Sequence, residues 1–250
     1  MDNTQRFSNR VENYLLARPG YPQAIVDLLK EKCHLTAHSL VADIGSGTGI
    51  FTKLLLDEGI QVFGVEPNQA MRQAAEKYLA NYSLFQSIDG QADHTQLPKH
   101  SIDLITVAQA YHWFNKEQTE VEFLRVLKPT GSLFLVWNLR ENNTPIMRDY
   151  EQLLIEFGTD YLNVSAENAQ KQALTFHGQA FKTHSFDNHQ DLNWPQLKSR
   201  LLSCSYIPSE TAPNYNAMMH TLENLFNKHQ RNGVIHFSYI TKCYYLNLVF

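Results

Sequence analysis

A glycine-rich stretch from Val41 to Gly49 (VADIGSGTG) constrains the fold of this chain more than any other segment. Its first residues are mostly small or β-branched and apolar, as in a strand that is covered on both faces. Glycines then stand at positions 45, 47 and 49, where they permit positive φ angles and the close approach of a ligand. The next residues, Ile50 to Asp57, have apolar side chains at helical spacing. The stretch therefore predicts a strand, a tight turn and a helix N-terminus that presents free N–H groups.

The spacing of the glycines limits the kind of ligand. A dinucleotide fingerprint would need glycine at position 50, which is Ile50, and a P-loop would need a Gly-Lys-Ser/Thr ending that is absent. A second predicted strand, Gln61 to Val65, is followed by Glu66, about 20 residues after the first glycine. A carboxylate at that place can accept hydrogen bonds from both hydroxyls of a ribose. The pattern predicts a nucleoside site without a pyrophosphate cradle.

The chain continues as an alternation of strands and helices. Further buried strands are predicted at 83–88, 102–108 and 132–137, which makes five strands with helices between them. That order predicts a parallel sheet with right-handed crossovers. The helix over 115–128 is expected to begin at Asn115, an N-cap residue, and to bury Val121 and Leu124 among its apolar side chains.

Composition and charge argue against several classes of protein. The formal net charge is −4 and no basic run is present, which argues against a nucleic acid partner. No apolar run reaches transmembrane length, and the N-terminal residues lack the core of a signal peptide. Cys33, Cys204 and Cys243 lie far apart, without metal-type spacing. We therefore expect a cytoplasmic protein, monomeric or homodimeric, with no metal site, nucleic acid partner or membrane segment.

Several segments together resemble a known family. VADIGSGTG and the following VFGVEPNQAM resemble the class I S-adenosylmethionine-dependent methyltransferases. ARPGYP, GQADHTQLP, AQAYHWF, FLRVLKPTGSLFLVW and a SYIP segment match the narrower group around the trans-aconitate and ubiquinone-pathway enzymes, methyltransferase type 11. The resemblance implies a Rossmann-like, doubly wound α/β fold with a seven-stranded sheet, mostly parallel with an antiparallel C-terminal strand, and a helical cap.

The same resemblance implies an organisation along the chain. We expect one methyltransferase domain with an N-terminal helical segment at 1–34 and a cofactor-binding core at 35–138. Cap helices with one strand follow at 139–232, and residues 233–250 complete the sheet. Caps of this kind select the methyl acceptor, and the candidate residues in this one are Arg140, Tyr161, His177, Trp194 and Tyr206.

S-adenosylmethionine is the cofactor that the resemblance implies, with S-adenosylhomocysteine as its product. Gln91 is expected to accept from the adenine amine, with Ala92 contributing its backbone N–H. His112 and Trp113 follow the fourth strand, where an aromatic wall suits a sulfonium cation. The full set expected to bind the cofactor is Tyr14, Arg18, Tyr21, Asp43, Gly45, Ser46, Gly47, Gly49, Glu66, Pro67, Met71, Gln91, Ala92, Ala108, Gln109 and Trp113.

His112 is also the candidate catalytic residue. The sulfonium makes the methyl group strongly electrophilic, so the enzyme must mainly hold the acceptor in line and exclude water. A carboxylate acceptor needs no base, whereas a hydroxyl, an amine or a carbon acid could use His112 as a general base. A small metabolite is the expected acceptor, and a carboxylic acid, a quinone precursor and a natural-product intermediate stay open.

Two other functions stay open as well. A non-catalytic protein could use the same glycine turn to bind S-adenosylmethionine or its product, as a sensor or a partner subunit. A nicotinamide-dependent oxidoreductase could use a similar sheet, although Ile50 in place of a glycine counts against it. We favour an S-adenosylmethionine-dependent methyltransferase that acts on a small molecule.

Overall fold

The fold is built on a mixed β-sheet with helices, which a computed structural model describes over residues 17–159, 161 and 174–248. The strands are β1 (Leu40–Ile44), β2 (Gln61–Val65), β3 (Phe85–Ile88), β4 (Ile102–Ala108), β5 (Leu127–Arg140), β6 (Thr175–Phe176), β7 (Gln179–Ala180), β8 (Lys182–Leu192) and β9 (Ile235–Asn247). The helices are α1 (Ala24–Lys32), α2 (Ile50–Leu56), α3 (Gln69–Tyr78), α4 (Lys116–Val126), α5 (Pro145–Phe157), α6 (Trp194–Leu202) and α7 (Tyr215–His229). A 3-10 turn at Tyr111–Trp113 follows β4.

Seven strands form one sheet in the order β3-β2-β1-β4-β5-β9-β8. The first five pair in parallel, and β9 runs antiparallel to both β5 and β8. This confirms the predicted fold, a mostly parallel seven-stranded sheet with an antiparallel C-terminal strand. The order reverses between β1 and β4, and open sheets of this kind bind ligands outside the carboxyl ends of the strands at that point.

Alternate residues of the central strands pack into two separate cores. Val41 and Leu104 join side chains of α1 and α2 in one core, whereas Ala42 and Ile105 join side chains of α4 in the other. The period of two residues is that of a strand covered on both faces. A third core joins α5, α6 and α7 to β9. The division of the domain into segments that end at residues 34, 138 and 232 stays a prediction.

Two predictions, one on the fifth strand and one on the helix before it, were wrong in detail. The fifth strand extends over Leu127–Arg140, well beyond 132–137. On α4, Val121 is 71% exposed, and the buried neighbour is Glu122. Glu122 is held inside because its carboxylate accepts hydrogen bonds from the backbone and hydroxyl of Thr95, which the helical spacing could not show.

Some predictions cannot be compared with the structure. The N-terminal helix expected before residue 17, with Tyr14, lies outside the described residues. Within the described part of the chain, none of the helices combines the length and the apolar character needed to cross a membrane.

Candidate active site

The glycine turn after β1 shapes the centre of the site. Gly45, Gly47 and Gly49 all have positive φ angles, of 69°, 57° and 83°. A Cβ at Gly45 would lie 2.7 Å from the Cβ of Ala110, and one at Gly49 would lie 2.7 Å from Leu79. A Cβ at Gly47 would meet nothing within 4 Å. Two of the glycines therefore permit close packing, while Gly47 faces open space where a ligand could approach its backbone.

Glu66 follows β2 and is anchored to this turn. One carboxylate oxygen, Oε2, accepts from the backbone N–H of Gly47 at 2.9 Å, and Oε1 accepts from that of Asn68 at 2.9 Å. The residue is 8% exposed, and burial raises the pKa of its carboxyl group. Each carboxylate oxygen has more than one lone pair, so both can still accept from a ligand.

A first cleft opens beside Glu66. It is lined by most of the residues predicted to bind the cofactor beyond the glycine turn, namely Glu66, Pro67, Met71, Gln91, Ala92, Ala108, Gln109 and Trp113. Thr119 on α4 also lines it, and its buried hydroxyl has no hydrogen-bond partner among the described residues. Sequence reasoning missed Thr119, since a threonine in the first turn of a helix carries no motif.

A second cleft adjoins the first and shares with it Gly45, Gly47, Ala108, Gln109 and Trp113. The predicted residues Arg18, Tyr21, Ser46 and His112 line it, as do Thr48, Asn138, Arg140, Arg200 and Tyr206. Thr48 carries a second buried hydroxyl without a partner in the described part of the chain. The two clefts form one elongated site across the carboxyl ends of β1 and β4.

The segment from Ala17 to Tyr21, here called the strap, covers one side of the second cleft. Its backbone carbonyls accept from side chains of β5 and β8: Asn138 and Asn188 both donate to Gly20, and Gln190 donates to Ala17. Arg18 donates in turn to the carbonyl of Ser203, at 2.9 Å. The strap is therefore tied to the far strands and to the loop after α6.

Gln109, at the carboxyl end of β4, has a strained backbone, with φ of +61°. Its N–H donates to the carbonyl of Val136 at 2.9 Å, and its side-chain amide donates to the carbonyl of Asn138 at 3.3 Å. Non-glycine residues hold such a conformation when their surroundings impose it, and they concentrate at functional sites.

His112 lines the second cleft in a defined protonation state. Burial lowers the pKa of its imidazole to about 4, so the ring is neutral at pH 7. The indole N–H of Trp137 donates to Nδ1 at 3.4 Å, which places the imidazole proton on Nε2. Both observations count against His112 as a general base, because its free nitrogen donates a hydrogen bond rather than accepting one.

Arg200, on α6, is a buried cation in the wall of the second cleft. It is 3% exposed, its Nε donates to the hydroxyl of Tyr239 at 3.1 Å, and its Nη1 donates to the sulfur of Cys204 at 3.4 Å. Its Nη2 donates to none of the described residues, and no carboxylate among them lies within ion-pair distance. Burial alone would raise the pKa of Cys204, but Arg200 and Arg18 bring it down to about 7.

The second cleft as a whole is cationic. Arg18, Arg140 and Arg200 line it, and none of its described lining residues is an aspartate, a glutamate or a lysine. Nη2 of Arg140 donates to the hydroxyl of Tyr161 at 2.6 Å and to the carboxylate of Glu151 at 3.4 Å. Burial raises the pKa of Tyr206 to about 12, so its phenol is neutral. An anionic ligand is the natural complement of such a cleft.

Not every predicted residue reaches the clefts. Asp43 is fully buried beneath the turn, where it accepts from the hydroxyls of Thr52 and Thr106, and burial raises its pKa to about 6. Gly49 is the N-cap of α2. Of the cap candidates, Arg140 and Tyr206 line the second cleft, whereas Tyr161, Trp194 and His177 are not among its lining residues.

Comparison with known proteins agrees with the fold. Residues 42–135 match the family described as a methyltransferase domain. An uncharacterised methyltransferase of Schizosaccharomyces pombe is 27% identical over 247 residues, 95% of each chain. A type II methyltransferase structure from Anaeromyxobacter dehalogenans superposes with a TM-score of 0.67 at 18% identity, over 93% of this chain and 98% of that one.

A further structural neighbour is a phosphoethanolamine N-methyltransferase 2 of Haemonchus contortus, in complex with phosphomonomethylethanolamine and S-adenosylhomocysteine. Its TM-score is 0.50 at 14% identity, and the match covers 97% of this chain but 58% of that one. The family match, the relatives and the fold together support a class I S-adenosylmethionine-dependent methyltransferase.

Proposed function

We propose that this methyltransferase acts on a small carboxylic acid, holding the carboxylate in line with the methyl group of S-adenosylmethionine. The observation that carries the proposal is the buried guanidinium of Arg200 in the second cleft, which has no carboxylate partner among the described residues. A buried charge is costly unless a charge of opposite sign accompanies it. Cys204, whose pKa is lowered to about 7, meets only Nη1, and the anionic acceptor supplies the charge opposite Nη2.

The first cleft suits the nucleoside part of the cofactor. Glu66 has spare lone pairs for the two ribose hydroxyls, and we assign Gln91 and Ala92, which line the same cleft, to the adenine edge. The unpartnered hydroxyl of Thr119 offers a further donor or acceptor in this cleft, and that of Thr48 does the same in the second. The residues present therefore fit S-adenosylmethionine.

The second cleft suits the methionine part and the acceptor. Arg18 in the strap lies beside the glycine turn and is suited to the methionine carboxylate. Arg200 and Arg140 come from the cap side and from the end of β5, and we assign them to the acceptor. The strap and the wall formed by His112 and Trp113 exclude water from the junction of the two clefts.

Among the described residues that line the second cleft there is no aspartate, glutamate or lysine to act as a base, which supports a carboxylate as the reacting group. Bound S-adenosylmethionine supplies a methyl group on a sulfonium centre, which an ionised carboxylate accepts without losing a proton. His112 is neutral and its Nε2 carries the proton, so we assign it as a hydrogen-bond donor to the acceptor. We prefer this role to that of the general base, which stays a prediction from the sequence.

Calorimetric titration tests the cofactor half of the proposal. Wild type should bind S-adenosylmethionine and S-adenosylhomocysteine with micromolar affinity, and Glu66→Ala should bind both about 10- to 100-fold more weakly, because it removes charge-assisted hydrogen bonds. Glu141→Ala, a glutamate that does not line either cleft, is the matched control and should bind as wild type does. No binding by folded wild-type protein would refute the assignment of the clefts.

Acceptor screening tests the other half. Small carboxylic acids are compared with their amides, and mass spectrometry follows the methyl esters formed. We expect turnover with acids alone. Turnover with amides or amines instead would contradict the carboxylate assignment. Cofactor binding without turnover on any acceptor would favour a non-catalytic protein that senses S-adenosylmethionine or its product. The cytoplasmic location and the monomeric or dimeric state stay predictions from the sequence.

A further inference from the structure

A cluster of three potential metal ligands lies outside the two clefts, on the last two strands of the sheet. His189 and Asp191 belong to β8 and His236 belongs to β9, and all three are exposed. One ligand atom from each lies within 4.8 Å of the others. Nδ1 of His236 is 2.9 Å from Oδ1 of Asp191, and the two imidazole rings are 4.8 Å apart.

Strand geometry explains why these side chains meet. Asp191 is directly opposite His236 in the antiparallel ladder, and His189 precedes Asp191 by two residues, so all three point to the same face. The spacing along the chain could not reveal the cluster, because 45 residues separate His236 from Asp191. Paired strands hold ligands more firmly than loops do.

We propose that His189, Asp191 and His236 form a binding site for a divalent transition metal of the zinc class. Two imidazole nitrogens and one carboxylate oxygen are ligands that Zn²⁺ accepts, with water in the remaining position. Mg²⁺ and Ca²⁺ instead require sets made of oxygen ligands. The ligand atoms need only small rotations to converge, since they already lie within 4.8 Å of each other.

The position of the site on the sheet indicates what the metal does. Asn188 and Gln190 alternate with the ligands on β8 and point to the opposite face, where they hold the carbonyls of Gly20 and Ala17 in the strap. Gln190 also accepts from the hydroxyl of Tyr239, the partner of Arg200. A metal that joins β8 to β9 therefore stabilises the strand pair to which the strap and Arg200 are attached.

Metal titration of the full chain tests the site. After treatment with a chelator, ZnCl₂ is titrated calorimetrically into wild type, His236→Ala, Asp191→Asn and His184→Ala. The last variant is the matched control, because His184 is an exposed histidine on β8 outside the cluster. We expect one Zn²⁺ per wild-type chain, at least tenfold weaker binding by His236→Ala and Asp191→Asn, and wild-type binding by His184→Ala.

Thermal unfolding provides a second readout that does not depend on activity. With Zn²⁺ at about 100 times the wild-type Kd, the Tm of wild type should rise by about 5–10 °C, and that of His236→Ala should rise by about half as much or less. Equal Zn²⁺ affinity in all four proteins, or no binding by wild type, would overturn the proposal. All three ligands are exposed, so the variants should keep the fold, which circular dichroism verifies.

Discussion

Replacing Arg200 by methionine should weaken the binding of the methyl acceptor without destabilising the fold. Arg200→Met removes a buried charge while keeping an unbranched side chain that fills the same space. Tyr239 keeps its hydrogen bond to Gln190 at 2.8 Å, so the phenol is not left without a partner. The sulfur of Cys204 keeps its contact with the backbone carbonyl of residue 200, at 3.6 Å.

We expect the substitution to lower kcat/KM and to leave the Tm unchanged or slightly higher. Loss of a buried, charge-assisted contact with the acceptor costs about 3 kcal/mol, which lowers kcat/KM by about 100-fold. The lost hydrogen bond to Tyr239 and the contact with Phe237, 6.0 Å from the guanidinium, cost about 1–2 kcal/mol each at most. Removing the desolvation penalty of the cation offsets these losses, so the Tm should stay unchanged or rise by up to about 5 °C.

The assay compares Arg200→Met with Arg148→Met, an exposed arginine that lines neither cleft. Steady-state kinetics with an acid found in the screen, calorimetry with S-adenosylmethionine and thermal unfolding are measured for both variants. We expect a raised acceptor KM and unchanged cofactor affinity for Arg200→Met alone. A large fall in Tm would show that Arg200 is structural, and an equal loss of cofactor affinity would show that it binds the methionine carboxylate.

Three further predictions concern residues around the glycine turn and the cleft. Gly45→Ala should lower the free energy of unfolding by about 2–4 kcal/mol, because φ is +69° and the new Cβ would lie 2.7 Å from the Cβ of Ala110. Gly47→Ala should lower it by only about 1–2 kcal/mol, because its Cβ would meet nothing within 4 Å. Urea denaturation measures both losses, and equal losses would contradict this account. His112→Gln should lower kcat but leave the shape of the rate profile between pH 5.5 and 8 unchanged, because burial lowers the pKa of His112 to about 4. If wild type shows an acidic inflection that the variant lacks, His112 acts as a general base after all. The pKa of Asp43 is raised to about 6, so binding of its proton stabilises the fold at low pH, and that stabilisation is lost as the pH rises through 6. The difference in unfolding free energy between wild type and Asp43→Asn should therefore change by about 1 kcal/mol between pH 5 and 7. A difference that stays constant over this range would refute the raised pKa.

The alternation of strands and helices could be predicted from the sequence with good accuracy. The bounds of β2 and β4 agree residue by residue, and Asn115 accepts from the N–H of Gln118 as an N-cap should. Hydrophobic periodicity and capping depend on residues a few positions apart, so the sequence carries them directly. The glycine turn and Glu66 could be predicted in the same way, because each directly follows a strand in the sequence.

Only the tertiary structure decided which distant side chains share an environment. Val121 fits the apolar spacing of α4 but is exposed, whereas Glu122 is buried with hydrogen bonds from Thr95, a residue of another segment. Arg200 meets Tyr239 across the packing of α6 on β9, and His236 meets Asp191 across a strand ladder. Local patterns specify the elements of a fold, whereas the charge of a cleft and the ligands of a metal depend on how those elements pack.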